Sequence, residues 1–219
     1  MAEKYKILNL YACLGGNRYK WDEVADIDVT AVEWDEELAR LYQERFPNDN
    51  VIVADAHQYL LEHYKEFDFI WTSPPCPTHS RLVYSIKNKI KMKYPDMRLY
   101  EEILFLKHLY NGKFVVENVI PYYEPLIPAQ KRHRHLYWSN FNLPNILTKR
   151  DFGGIGSSTQ EVKKLCKFHD YNFYKYKGKQ NTNKIARNLV DYEAGKTILE
   201  TALGIIKKEN INQLDIFNN

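Results

Sequence analysis

Cys76 is the residue of this 219-residue chain whose neighbours best suit it to act as a nucleophile. It ends the stretch Phe67-Asp68-Phe69-Ile70-Trp71-Thr72-Ser73-Pro74-Pro75-Cys76. An apolar run that stops at two prolines reads as a buried strand entering a stiff turn. Proline fixes its own φ and restricts the residue before it, so Cys76 is left little conformational freedom. Ligands of open parallel sheets sit beyond the carboxyl ends of the strands. A thiolate held there attacks electrophilic carbon when its surroundings lower its pKa. The competing reading is a small buried residue that closes a turn. Three acids end other apolar runs: Glu33, Asp55 and Glu117. An acid about 20 residues past a glycine turn is placed to bind ribose hydroxyls, although such acids also occur in α/β proteins that bind no nucleotide.

The elements that must position these groups follow a regular rhythm. Residues 7–11 form a first strand, followed by the turn Ala12-Cys13-Leu14-Gly15-Gly16-Asn17, where paired glycines let a ligand approach the backbone. Residues 29–33 and 51–54 read as the next two strands. Between them Leu38, Leu41, Tyr42 and Phe46 make an apolar stripe at helical spacing. A helix over 57–64 leads to the strand before Cys76. A polar loop over 81–97, a helix over 99–109 and a strand over 113–117, stopped at Asn118, come next. Strand alternating with helix predicts an α/β fold with a doubly wound, mostly parallel sheet. A closing amphipathic helix is expected over 192–208, then a polar tail.

Composition narrows the class. The chain is 44% hydrophobic and 14% aromatic, as expected of a globular core, and no apolar run reaches the roughly 20 residues that span a bilayer. No signal peptide is visible, and the widely spaced Cys13, Cys76 and Cys166 suggest neither disulfides nor a metal site, so a cytoplasmic location is expected. His133 and His135 alternate as if along one strand face, but no third ligand has suitable spacing, and no metal is expected. Net charge is only +3, yet residues 139–186 hold nine Lys/Arg against three acids. Phe168, Tyr171, Phe173, Tyr174 and Tyr176 interleave with these cations. Cations meet phosphates and aromatics stack on bases, so the segment suits a nucleic-acid surface; an ordinary solvated basic surface is the alternative. Three parts are expected: a catalytic domain over 1–138, the basic segment over 139–186, and a stretch over 187–219 that completes the first.

In order along the chain, these motifs resemble those of the DNA cytosine-5 methyltransferases. Tyr11-Ala12-Cys13-Leu14-Gly15-Gly16 is similar to the family's Phe-Ala-Gly-x-Gly-Gly cofactor turn. Glu33-Trp34 and Asp55 match its next two cofactor positions, Pro75-Cys76 its nucleophile loop, and Ser80 a downstream serine. Glu117-Asn118-Val119 is its Glu-Asn-Val, Gln130-Lys131-Arg132-His133-Arg134 its Gln-x-Arg-x-Arg, and Arg187-Asn188-Leu189-Val190 resembles its Gly-Asn-Ser-Val. Cys13, Pro77 and Arg187 depart from the pattern, and the segment before the last motif is far shorter than the family's recognition domain.

The resemblance implies a Rossmann-like, S-adenosylmethionine-dependent enzyme that methylates C5 of a cytosine flipped out of DNA. Cys76 would attack C6, Glu117 would meet N3, and Arg134 would bind the O2 side with Arg132 positioning its loop. The cofactor would lie on Tyr11, Ala12, Leu14, Gly15, Gly16, Glu33, Trp34, Asp55, Ala56, Pro75 and Asn188. Glu33 would take the ribose, Asp55 the adenine amino group, and Tyr11 with Trp34 the ring. DNA would be met by Arg81, Lys87, Lys89, Gln130, Lys175, Lys177 and Lys179, on a monomer. Restriction-modification is a role that fits such an enzyme. Rival readings are an amino-methyltransferase, because Ser73-Pro74-Pro75 matches part of its motif, an RNA cytosine methyltransferase, and a non-catalytic DNA-binding relative.

Overall fold

The computed structural model describes residues 4–81, 94–133, 135–143 and 159–205. Seven strands form one sheet: β1 (Tyr5–Leu10), β2 (Ile27–Glu33), β3 (Asn50–Val53), β4 (Phe69–Thr72), β5 (Lys113–Val119), β6 (Gln130–Arg132) and β7 (His135–Ser139). Their order is β3-β2-β1-β4-β5-β7-β6. The first five are parallel, and β7 runs antiparallel to both neighbours. The helices are α1 (Glu36–Arg45), α2 (Ala56–His63), α3 (Arg98–Leu109), α4 (Thr159–Phe168), α5 (Thr182–Asn188) and α6 (Tyr192–Ala202). This is the expected doubly wound, mostly parallel sheet.

The two-residue period of the strands gives both faces an apolar cover. On one side Leu8, Leu10, Ile70, Phe114 and Val116 pack against Leu60 of α2 and Leu99, Ile103 and Leu106 of α3. On the other, Ile7, Val29, Phe69, Trp71 and Val115 meet Trp21 and Ile198 and Leu199 of α6. Sheet order reverses between β1 and β4, which places their carboxyl ends beside one another at the point where such folds bind ligands. Acids at strand ends also start helices: Asp35 accepts from the N–H groups of Glu37 and Leu38, and Asp55 from that of Gln58.

Three local expectations change. Residues 130–139 form a hairpin, with Arg132 paired to His135 across β6 and β7. His133 stands at its turn with φ 48°, so it shares no strand face with His135. The closing helix stops at Ala202 instead of running to 208, because Gly204 turns into the left-handed region at φ 70°. The N–H of Gly204 then bonds to the carbonyl of Thr201, and that of Ile205 to Glu200. Finally, the aromatics of the basic segment are partly core. Phe173 and Tyr176 are buried with Val162 and Leu165 of α4, Ile185 of α5, Leu14, and Leu38 and Leu41 of α1. Their rings complete a hydrophobic cluster and are not available to stack on bases.

Candidate functional site

The turn after β1 is held by backbone geometry. Ala12 N–H donates to the Val32 carbonyl at 3.0 Å and Gly15 N–H to that of Ala12 at 2.8 Å. This curl puts Tyr11, Cys13 and Gly15 at φ 56°, 49° and 65°. A side chain in that region costs roughly 1–2 kcal/mol, which glycine avoids. Cys13 therefore carries strain at the position where the resembling motif has glycine. Its N–H donates to Glu33 Oε2 at 2.9 Å, and Asp35 N–H donates to Oε1 at 3.0 Å. Burial pushes the Glu33 carboxyl pKa up, and these N–H bonds oppose the shift. Burial also pushes up the pKa of the Cys13 thiol, which stays protonated at neutral pH. A Cβ on Gly16 would lie 2.3 Å from the Val190 carbonyl oxygen, so glycine lets the last motif close onto the turn.

The loop after β4 is held by side chains and main chain together. Asn118 donates from Nδ2 to the Pro74 carbonyl at 2.9 Å, while its Oδ1 accepts from Val119 N–H. The Cys76 carbonyl accepts from the N–H groups of His79 and Ser80 at 3.0 and 3.1 Å, closing the turn behind the thiol. Ser80 forms a bridge with Pro121, Tyr122 N–H donates to the His79 carbonyl, and Arg81 Nε donates to the Pro121 carbonyl. His79 Nδ1 lies 2.6 Å from the Tyr123 hydroxyl, and burial lowers the imidazole's pKa. On β5, Glu117 is 7% exposed, and the hairpin brings His135 Nε2 to 3.5 Å from its Oε1.

Between these two rims lies a cavity of about 520 Å³. Tyr11, Ala12, Gly16, Glu33, Trp34, Pro75 and Asn188 line it, together with Cys76 and Glu117. A smaller one of about 210 Å³ shares Tyr11, Trp34 and Pro75 and adds Asp55 and Ala56. Trp34, 66% exposed, presents its ring at the junction.

A sequence model of the C-5 cytosine-specific DNA methylase family matches residues 5–121, over half the chain. The chain belongs to this family. Solved structures with similar folds include Spodoptera frugiperda DNMT2, as an E260A/E261A/K263A mutant, at 26% identity and a TM-score of 0.40 over 53% of this chain and 36% of that one. The Entamoeba histolytica methyltransferase EhMeth follows at 17% and 0.36, over 54% and 39%. A SAM dependent methyltransferase from Agrobacterium tumefaciens follows at 16% and 0.38, over 56% and 41%. The chain thus spans about a third to two fifths of the length of these proteins. No curated protein matches it.

Not every residue picked from the family motifs faces the cavities. Leu14 is fully buried beside Leu38 and Leu41, and Gly15 backs onto the Phe46 and Tyr42 rings, so both shape the turn from behind. Arg132 donates to the Leu143 carbonyl. Gln130 donates to Ser139 Oγ and the Phe141 carbonyl and accepts from Leu143 N–H, which engages its amide within the hairpin. Arg187 lines the cavity wall paired with Glu161 at 2.7 Å, so its cation is matched there. Arg81 stands at the cavity edge, Lys175 pairs with Glu44 at 2.6 Å, and Lys177 and Lys179 are exposed. Arg134, Lys87 and Lys89 lie outside the described residues. Among the described residues no group of three or more His, Cys, Asp or Glu is placed to hold a metal ion, and no helix is long and apolar enough to cross a membrane.

The family motifs gave no role to Ser73, Gln180 or Glu161, which also line the cavity. Asn118 was legible as a motif member but not as the anchor of the Pro74 carbonyl. Gln180 and Tyr176 both donate to Asp35 Oδ2, at 2.9 and 2.8 Å, tying the former basic segment to the end of β2. Burial opposes the ionised form of Asp35, but these two bonds and the helix N–H groups hold its pKa below the usual value. A lone glutamine in a lysine-rich stretch gave no sequence signal for that tie.

Proposed function

We propose that the chain is an S-adenosylmethionine-dependent DNA (cytosine-5) methyltransferase that acts as a monomer through a covalent Cys76 adduct. The observation that carries this is a single cavity lined both by the Glu33 turn and by Cys76 and Glu117. The donor set fits the cofactor: a buried carboxylate for ribose hydroxyls, and an exposed Trp34 that lines the same cavity as Tyr11. Glu33, Trp34, Tyr11, Gly16, Asp55, Ala56 and Asn188 would hold it. When bound, S-adenosylmethionine supplies the electrophilic methyl group that C5 accepts.

The protein's own work is to make C5 nucleophilic. The Cys76 thiolate forms a bond to C6 of the flipped cytosine, and the ring electrons move towards C5 and N3. Glu117 in its protonated form donates to N3 and offsets the charge that develops there. Arg134 binds the O2 side. Arg132 braces the hairpin, a role its bond to the Leu143 carbonyl supports. After methylation a base removes the C5 proton, and the S–C6 electrons return to sulfur as Cys76 leaves. Residues 139–186 serve as a short target-recognition segment. The exposed Lys177 and Lys179 meet phosphates there, alongside Arg81, Lys87 and Lys89 after the nucleophile.

The test is trapping on DNA that carries 5-fluorocytosine, from which the C5 substituent cannot leave as a proton. With S-adenosylmethionine present, a complex that survives denaturing electrophoresis and maps to Cys76 is expected. Methyl transfer to unmodified DNA without any trapped complex would point to an exocyclic amine as the acceptor and overturn the C5 reading.

A further inference from the structure

The carboxylate of Glu102 lies behind the site yet touches the segments that build it. Glu102 sits on α3 and is completely buried. Its Oε1 accepts from the Tyr11 hydroxyl at 2.5 Å and lies 3.1 Å from His57 Nδ1, and its Oε2 accepts from the Thr72 hydroxyl at 2.6 Å. Each partner belongs to a different part of the site. Tyr11 opens the β1 turn, His57 is in the first turn of α2 just past Asp55, and Thr72 ends β4 immediately before the loop of Cys76.

Apolar residues surround this acid: Leu99, Ile103 and Leu106 of the same helix pack into the sheet. Burying a carboxylate there is costly unless hydrogen bonds meet it, and a leucine would fill the stripe without that cost. Two hydroxyls donate to it at 2.5 and 2.6 Å, so both of its oxygens are met. Burial and the adjacent Glu102 keep the Tyr11 phenol protonated, so it remains the donor.

We propose that Glu102 is a positioning residue that ties the cofactor turn to the nucleophile loop, fixing Tyr11 and Cys76 through one shared carboxylate. The proposal rests on the reading above, in which Tyr11 faces the cofactor and Cys76 is the nucleophile. Tyr11 stands at φ 56°, a conformation a tyrosine adopts only when its surroundings hold it there; the hydroxyl bond to Glu102 is such a hold. Thr72 applies the same group to the other rim. A cofactor that stacks on Tyr11 therefore steadies, through Glu102, the strand end from which the Pro74-Pro75-Cys76 turn departs.

The experiment uses the full chain and two readouts that need no DNA target. One is the S-adenosylmethionine dissociation constant by calorimetry. The other is the rate at which iodoacetamide alkylates Cys76, measured by peptide mass spectrometry so that Cys13 and Cys166 are counted separately. Tyr11→Phe should weaken cofactor binding at least threefold and leave Cys76 alkylation within twofold of wild type. Thr72→Val should do the reverse, speeding alkylation at least threefold because the half-buried loop is loosened. Glu102→Gln should move both readouts, and adding either hydroxyl deletion to it should change little further. Should Glu102→Gln fail to fold, the two hydroxyl variants, which keep the carboxylate, decide the matter alone. Both readouts unchanged in Glu102→Gln, or both moving in every variant in step with lost melting temperature, would overturn the proposal. A wild-type chain that binds no S-adenosylmethionine would overturn the site reading and the cofactor half of this proposal, while the alkylation arm decides the loop half by itself.

Discussion

The two rims of the cavity are built by different means. At the β1–β2 rim, main-chain N–H groups do the holding: Cys13 and Asp35 donate to Glu33, and Glu37 and Leu38 to Asp35. At the β4–β5 rim, main-chain bonds close the turn at Cys76, and side chains reach across between loops, as Asn118 does to Pro74, Arg81 to Pro121 and Tyr123 to His79. The first rim hangs on two carboxylate acceptors, Glu33 and Asp35, and keeps its shape when other side chains change, because the main-chain donors remain. The second also depends on side chains that span between loops, and one substitution at Asn118 or Arg81 removes such a tie. Ground-state binding of a cofactor suits the first construction, and a loop that must admit and grip a flipped base suits the second.

The largest effects should therefore separate by rim. Cys76→Ser is expected to abolish methyl transfer with S-adenosylmethionine affinity retained, because a hydroxyl is a far weaker nucleophile at neutral pH. Glu117→Gln should slow single-turnover transfer by about 10²–10⁴-fold, the range of a lost proton-donating group. Glu33→Gln should instead weaken cofactor binding in calorimetry and leave Cys76 alkylation as it was. Equal loss of cofactor affinity in all three variants would erase the distinction between the rims.

Asn118→Ala sharpens the comparison at intermediate size. It leaves the Pro74 carbonyl buried without its donor, which costs about 1–3 kcal/mol. Urea titration should register that loss, with transfer slowed and the cofactor dissociation constant little changed. At the other rim, Cys13→Gly removes left-handed strain of roughly 1–2 kcal/mol, partly offset by the greater freedom glycine has in the unfolded chain. A small net gain in stability and tighter cofactor binding are expected. Weaker cofactor binding would mean that the Cys13 side chain contributes a contact that its strain conceals.

Much of this was legible because it is local. The strands that carry Glu33, Asp55 and Glu117 follow from apolar runs met by polar residues, although β3 stops at Val53, before Asp55, and β5 runs on past the expected stop to Val119. The order of the motifs along the chain brought Cys76 and Glu117 to one cavity. What stayed hidden depends on contacts between elements distant in sequence. Phe173 and Tyr176 read as exposed stacking rings because their partners, Leu14, Leu38 and Leu41, lie more than 120 residues earlier. His133 and His135 read as sharing one strand face because they alternate, and no residue pattern announced the positive φ of His133 between β6 and β7. Glu102 was visible in principle. It falls at the i+3 position from Leu99, on an otherwise apolar stripe, and an acid on a buried face asks for partners.

The smallest predicted effect concerns His57, which Glu102 meets within that stripe. The hydrogen bond that the His57 ring makes to Glu102 raises the His57 pKa above its usual 6.5, burial opposes the shift, and the charges of Glu102 and Glu101 add to it while Arg98 detracts. Glu101 faces the other ring nitrogen at 3.5 Å. A group whose pKa is higher folded than unfolded binds its proton more tightly in the native state. Its contribution to stability is complete below the unfolded value of about 6.5 and is lost as pH rises through the folded one. Wild type should then lose melting temperature between about pH 6.5 and the raised folded value, and His57→Gln should flatten that slope. Parallel curves for the two proteins would show that these acids do not raise the His57 pKa. The pH profile thus reports on the acids that face His57, Glu102 at Nδ1 and Glu101 at Nε2.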